Sequence, residues 1–188
     1  MAWFVITPRD HLVWIDEWPT RPYLEFRESN MGLQDYVELI ERVERGDNQL
    51  DRPLENVFFR ILDPNFGKTK SAITGRTLQD DFAAAGLVFD CRIDDKIEAG
   101  HLAVKERLRD PPTLFFLPHC KNLIHSMQRY CWDEFKQERR LGKETPSNDY
   151  KDFPDLVRYA CMYDPRYFSP KDARVKFDWA AIRNGGLG

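Results

Sequence analysis

The sequence predicts an α/β domain built on a mixed sheet flanked by helices. Three observations lead there. Two β-rich runs open the chain as a hairpin, and helical stripes then alternate with further apolar runs. The 188 residues, 42% hydrophobic and 31% charged, are also enough for one core without disulfide or metal staples. The same composition excludes disordered and collagen-like classes. With 28 basic against 31 acidic residues the formal charge is −3. Any contact with nucleic acid is therefore a local patch. No run approaches the 18 apolar residues of a membrane span, and the first residues lack the basic start of a signal peptide.

Trp3-Phe4-Val5-Ile6 and Leu12-Val13-Trp14-Ile15 are the arms of the hairpin, parted by the turn-like Thr7-Pro8-Arg9-Asp10-His11. A helix is predicted over 33–45, where Leu33, Tyr36, Val37, Ile40 and Val43 share a stripe that Gly46 closes. Its surroundings, residues 28–51, carry seven acids and two arginines and read as a solvated acidic face. Residues 57–62, Val-Phe-Phe-Arg-Ile-Leu, predict a buried strand ending at Asp63-Pro64. A loop over 65–76 holds Lys68, Lys70 and Arg76 and no acid. Thr77 starts a short helix and Gly86 ends it. A strand over 87–93 follows, then a helix opened by Asp94-Asp95 with Ile97, His101, Val104 and Leu108 in register. Residues 114–117 are a third interior strand. The next helix places Leu123, Ile124, Met127, Tyr130, Cys131 and Phe135 inside. A basic stretch over 136–143, a polar loop over 144–151 and a last helix over 152–162 complete the domain; residues 164–188 read as a weakly structured tail.

Several familiar chemistries fail on spacing. Phe66-Gly67-Lys68-Thr69 resembles the end of a phosphate-binding loop, but the glycine required five residues before Gly67 is Leu62. His119, Cys120, His125 and Cys131 match no zinc-ligand spacing, and Cys131 lies on the apolar stripe. The four cysteines are irregularly spaced, which favours reduced thiols in an intracellular protein.

Carboxylates remain. Asp63 ends a predicted strand ahead of a basic loop, where ligands and metals collect in α/β sheets; equally, Asp-Pro initiates turns. Asp152 and Asp155, three apart on the last helix, share a face and suit a hard divalent cation. Equally, Asp152 serves as an N-cap with Asp155 as its reciprocal partner.

The string Asn148-Asp149-Tyr150-Lys151-Asp152-Phe153-Pro154-Asp155-Leu156-Val157-Arg158-Tyr159-Ala160 resembles the closing motif of tailed-phage large terminase subunits. Four further stretches agree with that family in order: Ala2-Trp3-Phe4 to Glu17-Trp18, Ile61 to Gly67, Cys120-Lys121-Asn122-Leu123-Ile124, and Tyr130-Cys131-Trp132. The resemblance implies the C-terminal nuclease domain of the packaging motor over residues 1–163, with a ribonuclease H-like fold. It implies a metal-dependent endonuclease that cuts concatemeric DNA by two-metal phosphodiester hydrolysis with Mg²⁺ or Mn²⁺. Asp63 and Asp155 take the catalytic positions, and Asp63, Asp152 and Asp155 the metal positions. Lys68, Lys70, Arg76, Lys136, Arg139, Arg140 and Lys143 flank the acids in sequence, where phosphate contacts are needed; equally, each is a solvated cation on a flexible loop. The implied partners are double-stranded DNA, the terminase ATPase domain, the small terminase subunit and the portal, with no membrane, in the cytoplasm of the bacterial host. Two departures accompany the resemblance: nothing here matches the family's first acid on a central strand, and the upstream ATPase motifs are missing. The expectation is a domain without its first central strand, and poor cleavage by this chain alone. The alternative is an inactive prophage remnant or accessory protein that keeps the fold and binds DNA or packaging partners. If Asp63 and Asp155 converge, their mutual repulsion is expected to raise at least one carboxyl pKa.

Overall fold

The structure, a computed structural model, describes residues 1–22, 31–54, 57–72, 74–130 and 150–169. In chain order these form β1 (Ala2–Ile6), β2 (Leu12–Glu17), α1 (Leu33–Arg45), α2 (Pro64–Lys68), α3 (Leu78–Ala84), α4 (Ile97–Leu108), β3 (Leu114–Phe116), α5 (Lys121–Arg129) and α6 (Asp152–Tyr163). The sheet is mixed, in the order β1-β2-β3. β1 pairs with β2 antiparallel, with an irregularity between Trp3 and Phe4, and β2 pairs with β3 parallel from Leu12↔Leu114 to Trp14↔Phe116.

The α/β class, the opening hairpin and the helices over 33–45, 78–84, 97–108 and 152–163 are present. The 114–117 run forms β3 at the sheet edge rather than an interior strand, and α5 ends at Arg129, with Tyr130 as its C-cap. β2 is buried almost throughout because it is the middle strand. α5 and α6 pack on it with Leu123, Phe153, Val157, Ala160 and Cys161 around Leu12, Trp14 and Leu114. Burying each such aliphatic side chain contributes roughly 1.5–3 kcal/mol. A second cluster joins α1 and α3 through Val37, Ile40, Phe82, Leu87 and Phe89. Gly46 closes α1 at φ 127°, a conformation open to glycine, with its amide bonded to the Val43 carbonyl.

Several expectations are corrected. Residues 57–62 and 87–93 are not strands; they meet in one parallel bridge, Ile61↔Asp90, made by Leu62 N–H to the Asp90 carbonyl and Asp90 N–H to the Arg60 carbonyl. A strand needs a continuous ladder as well as an apolar run, and Val57 and Phe58 stay exposed. Residues 64–68 form α2 rather than loop, because Pro64 presets the first helical φ and Asp63 caps it. The N-cap of α6 is Lys151, so Asp152 lies inside the first turn and the reciprocal capping pair does not form. Residues 164–169 are tied down: Tyr167 N–H donates to Asp10 Oδ1 at 2.7 Å, and Arg107 pairs with Asp164. Cys131, Phe135, Lys136, Arg139, Arg140, Lys143 and the tail from 170 lie outside the described residues.

Candidate functional site: a carboxylate cluster under α6

Asp63 stands where the Ile61–Leu62 stretch turns into α2. Its Oδ1 accepts the Asn65 and Phe66 amides, both at 2.8 Å, the geometry of an N-cap. Its Oδ2 accepts the Tyr159 hydroxyl at 2.6 Å, from 96 positions further along the chain. Burial pushes the Asp63 carboxyl up. The Tyr159 hydroxyl, the two amides and the nearby Arg158 charge outweigh it and hold the group below the usual Asp value. The expected rise from carboxylate repulsion is therefore not found at Asp63. Tyr159 is shifted the other way, upward, by burial and by its acidic neighbour.

α6 brings the partners. Phe153, Pro154, Val157, Ala160 and Cys161 are buried on it, and the same helix presents Tyr159 to Asp63 and Tyr163 to Asp90, with Asp155 paired to Arg158. Arg158, 4% exposed, donates Nε to Asp155 Oδ1 at 3.1 Å and Nη1 to the Asp95 carbonyl at 3.0 Å. Its guanidinium lies 4.5 Å over the Tyr159 ring. The stem fits because Gly100 of α4 faces it: a Cβ there would stand 2.6 Å from Arg158 Cδ and closer still to Cγ. Four residues after Tyr159, the Tyr163 hydroxyl donates to the buried Asp90, which Arg92 grips with Nε and Nη2. Two tyrosines one turn apart thus dock α6 on the two bridged segments through their acids.

Around this cluster, Asn65 Nδ2 donates to Asp95 Oδ2 at 3.2 Å, and His101 Nε2 meets the Tyr130 hydroxyl at 3.3 Å. Burial, and then Arg158, pushes the His101 pKa down, against a smaller upward pull from Asp155. The structure thus brings Asp63 and Asp155 into one neighbourhood through Tyr159 and Arg158. Asp152 is exposed, and no hydrogen bond or ion pair joins it to either acid among the described residues. Reading the sequence for carboxylates missed the roles of Arg158, Tyr159, Asp90 and Asp95. The available signal was the i, i+3 and i, i+4 spacing of Asp155, Arg158, Tyr159 and Tyr163 on one helix. It also missed Glu17, whose carboxylate accepts the Asn122 and Leu123 amides at 2.8 and 2.7 Å and anchors α5 to β2.

Of the basic residues, Lys68 at the end of α2 and Lys70 just beyond it are exposed with no ion-pair partner among those described. Arg76 instead donates Nε to the buried Asp81 Oδ1 at 3.0 Å, so its charge is committed within the fold. Among the described residues no three His, Cys, Asp or Glu side chains come together in a way that would hold a metal ion. Two carboxylates, one capped by amides and a hydroxyl and the other paired to a guanidinium, do not fit a two-cation centre, which needs several ligands with free oxygens.

No protein-family model and no curated protein matches the sequence. Among solved structures the fold is similar to part of the large terminase of a thermophilic bacteriophage, determined in complex with ADP. The TM-score is 0.50 at 18% identity, with 70% of this chain and 28% of that one covered. The chain therefore spans little more than a quarter of that protein, and at this identity the likeness is one of fold.

Proposed function

We propose that this chain is a nuclease-type module of a phage DNA-packaging terminase, with double-stranded DNA as its ligand and Asp63 and Asp155 as two acids of a divalent-cation-dependent hydrolytic site. One observation carries the reading: α6 returns to the acid that ends the 57–62 segment and joins it through Tyr159, next to Arg158 and Asp155. The fold likeness to a phage large terminase supports it, as does the order of short motifs from Trp3 to Tyr159. The ribonuclease H-like topology and the packaging partners (ATPase domain, small subunit and portal) belong to the same proposal.

Cleavage by this route requires a further acid from outside the described residues, because the carboxylates in place are already answered by protein donors. The expected outcome is poor nicking of supercoiled plasmid by this chain alone in Mg²⁺ or Mn²⁺. Robust nicking that survives Asp63→Asn and Asp155→Asn would mean that the chemistry lies elsewhere. The same saturation of the acids favours a second reading, an accessory protein that binds DNA without cutting it.

DNA binding tests what the two readings share. Each lysine that neutralises a phosphate releases roughly one counterion, so replacing both Lys68 and Lys70 by Ala should reduce the salt dependence of affinity by about 2 in log–log slope. Fluorescence anisotropy measured across a salt series reads that slope directly. An unchanged slope would leave these lysines as ordinary solvated surface.

A further inference from the structure

The mismatch between this acid pair and a two-cation centre has a positive side. We propose that the cationic partner of Asp63 and Asp155 is Arg158 of the chain itself, held so that it excludes a divalent cation until it is moved. The inference rests on the reading of these acids as a hydrolytic site and adds a device that keeps the site closed.

The placement of Arg158 is built from several sides. A buried guanidinium is costly unless it is paired, and this one is paired with Asp155 through both Nε and Nη2 at 3.1 Å. Nη1 is taken by the Asp95 carbonyl, the Tyr159 ring covers one face, and Gly100 clears the space its stem occupies. The Tyr159 hydroxyl meanwhile occupies Asp63 Oδ2, and the Arg158 charge is also felt at Asp63. One helical step, Arg158-Tyr159, therefore answers both acids. An incoming cation would meet a like charge at close range, with Asp155 Oδ1 already taken by both Nε and Nη2. Arg158 acts here as a positioning residue: it holds Asp155, bears on Asp63 through its charge, and fixes what else can bind them.

Mn²⁺ is the probe, and its uptake by the full chain can be followed through the electron paramagnetic resonance signal of the free ion. In the wild-type background, Asp63→Asn and Asp155→Asn should leave Mn²⁺ uptake at millimolar concentration unchanged, because neither acid is available. Arg158→Gln should bind Mn²⁺ about tenfold or more tighter than the wild type, the scale expected when a unit charge a few ångströms away is removed. Adding Asp155→Asn to Arg158→Gln should reverse that gain, and Arg158→Lys, which keeps the charge, should behave as the wild type. A simple packing role for Arg158 predicts no gain. Because Arg158→Gln removes a buried ion pair and can unfold the chain, a measurement on the wild type stands beside it. Paramagnetic broadening of side-chain carboxylate NMR signals by Mn²⁺ should spare Asp63 and Asp155.

Wild-type Mn²⁺ binding that Asp63→Asn or Asp155→Asn abolishes, or selective broadening of those two signals, overturns the inference while strengthening the nuclease reading. A folded Arg158→Gln variant with no gain also overturns it. Failure of the nuclease reading shows separately, as plasmid nicking that survives both Asp63→Asn and Asp155→Asn.

Discussion

Asp63 and Asp90 are both held below the usual Asp value although burial pushes each upward. For an acid with a depressed folded-state pKa, the unfolded chain binds more protons in the window between the two values. Stability from these groups is therefore complete above the unfolded value, near pH 4, and is lost as pH falls through the folded one. Glu17 has the opposite sign. Burial, offset only in part by the Asn122 and Leu123 amides, raises its pKa, so its contribution weakens as pH rises from the usual Glu value through the raised one. Urea titrations across pH separate the two. Tyr159→Phe should lower stability at pH 7 by about 1 kcal/mol, one hydrogen bond to a partly solvated carboxylate. It should also flatten the acid limb. Glu17→Gln should leave the acid limb from Asp63 and Asp90 intact. An acid limb unchanged by Tyr159→Phe would mean that the hydroxyl does not set the Asp63 pKa.

At the scale of elements, what was legible in the sequence is what close neighbours decide. β1 and β2 are joined by a five-residue turn and pair with each other, and α1 carries its own stripe and its own terminating glycine, so both could be read locally. Residues 57–62 are as apolar as any strand, yet they become one only with a continuous partner, and a run of letters does not say whether that partner is there. Asp63 illustrates the same limit for the site. Its turn-forming reading is realised on one carboxyl oxygen, which caps α2, while the other takes the Tyr159 hydroxyl, a partner 96 positions away that no local pattern announces. Glu17 was illegible because its amide donors lie more than a hundred positions away. How α2 is seated offers an element-level test. A Cβ on Gly67 would run into Cys91 Sγ, so Gly67→Ala should destabilise the fold by about 1–3 kcal/mol. Cys91→Ala should recover much of that loss in a double-mutant cycle. Additive costs would show that α2 does not rest on the 87–93 segment.

Over the whole molecule, β1 has β2 on one side and no ladder on the other among the described residues, and Phe4 reaches across to Phe59 with ring centroids 5.9 Å apart. Val5, Val57 and Phe58, on β1 and the neighbouring 57–62 segment, are exposed. An open edge beside apolar surface is a template for association. Val5→Lys should therefore shift the chain toward monomer at high concentration in analytical ultracentrifugation; an unchanged distribution would show that this edge does not self-associate. The core residues Cys91, Cys120 and Cys161 carry a different consequence. All three are buried, and burial pushes their thiols up to about 11, 12 and 12, so at neutral pH the nucleophilic thiolate is present in roughly one molecule in ten thousand or fewer. They occupy two places: Cys91 lies beside α2, while Cys120 and Cys161 share the core cluster between β2 and α6. Alkylation of Cys91 therefore waits on opening around α2, and that of Cys120 and Cys161 on opening of the shared core, so each rate is a clock for that event. With Cys131 replaced by Ala, quantitative mass spectrometry of iodoacetamide labelling would resolve three rates. Their order would rank which region breathes first, with no label added to the protein beforehand.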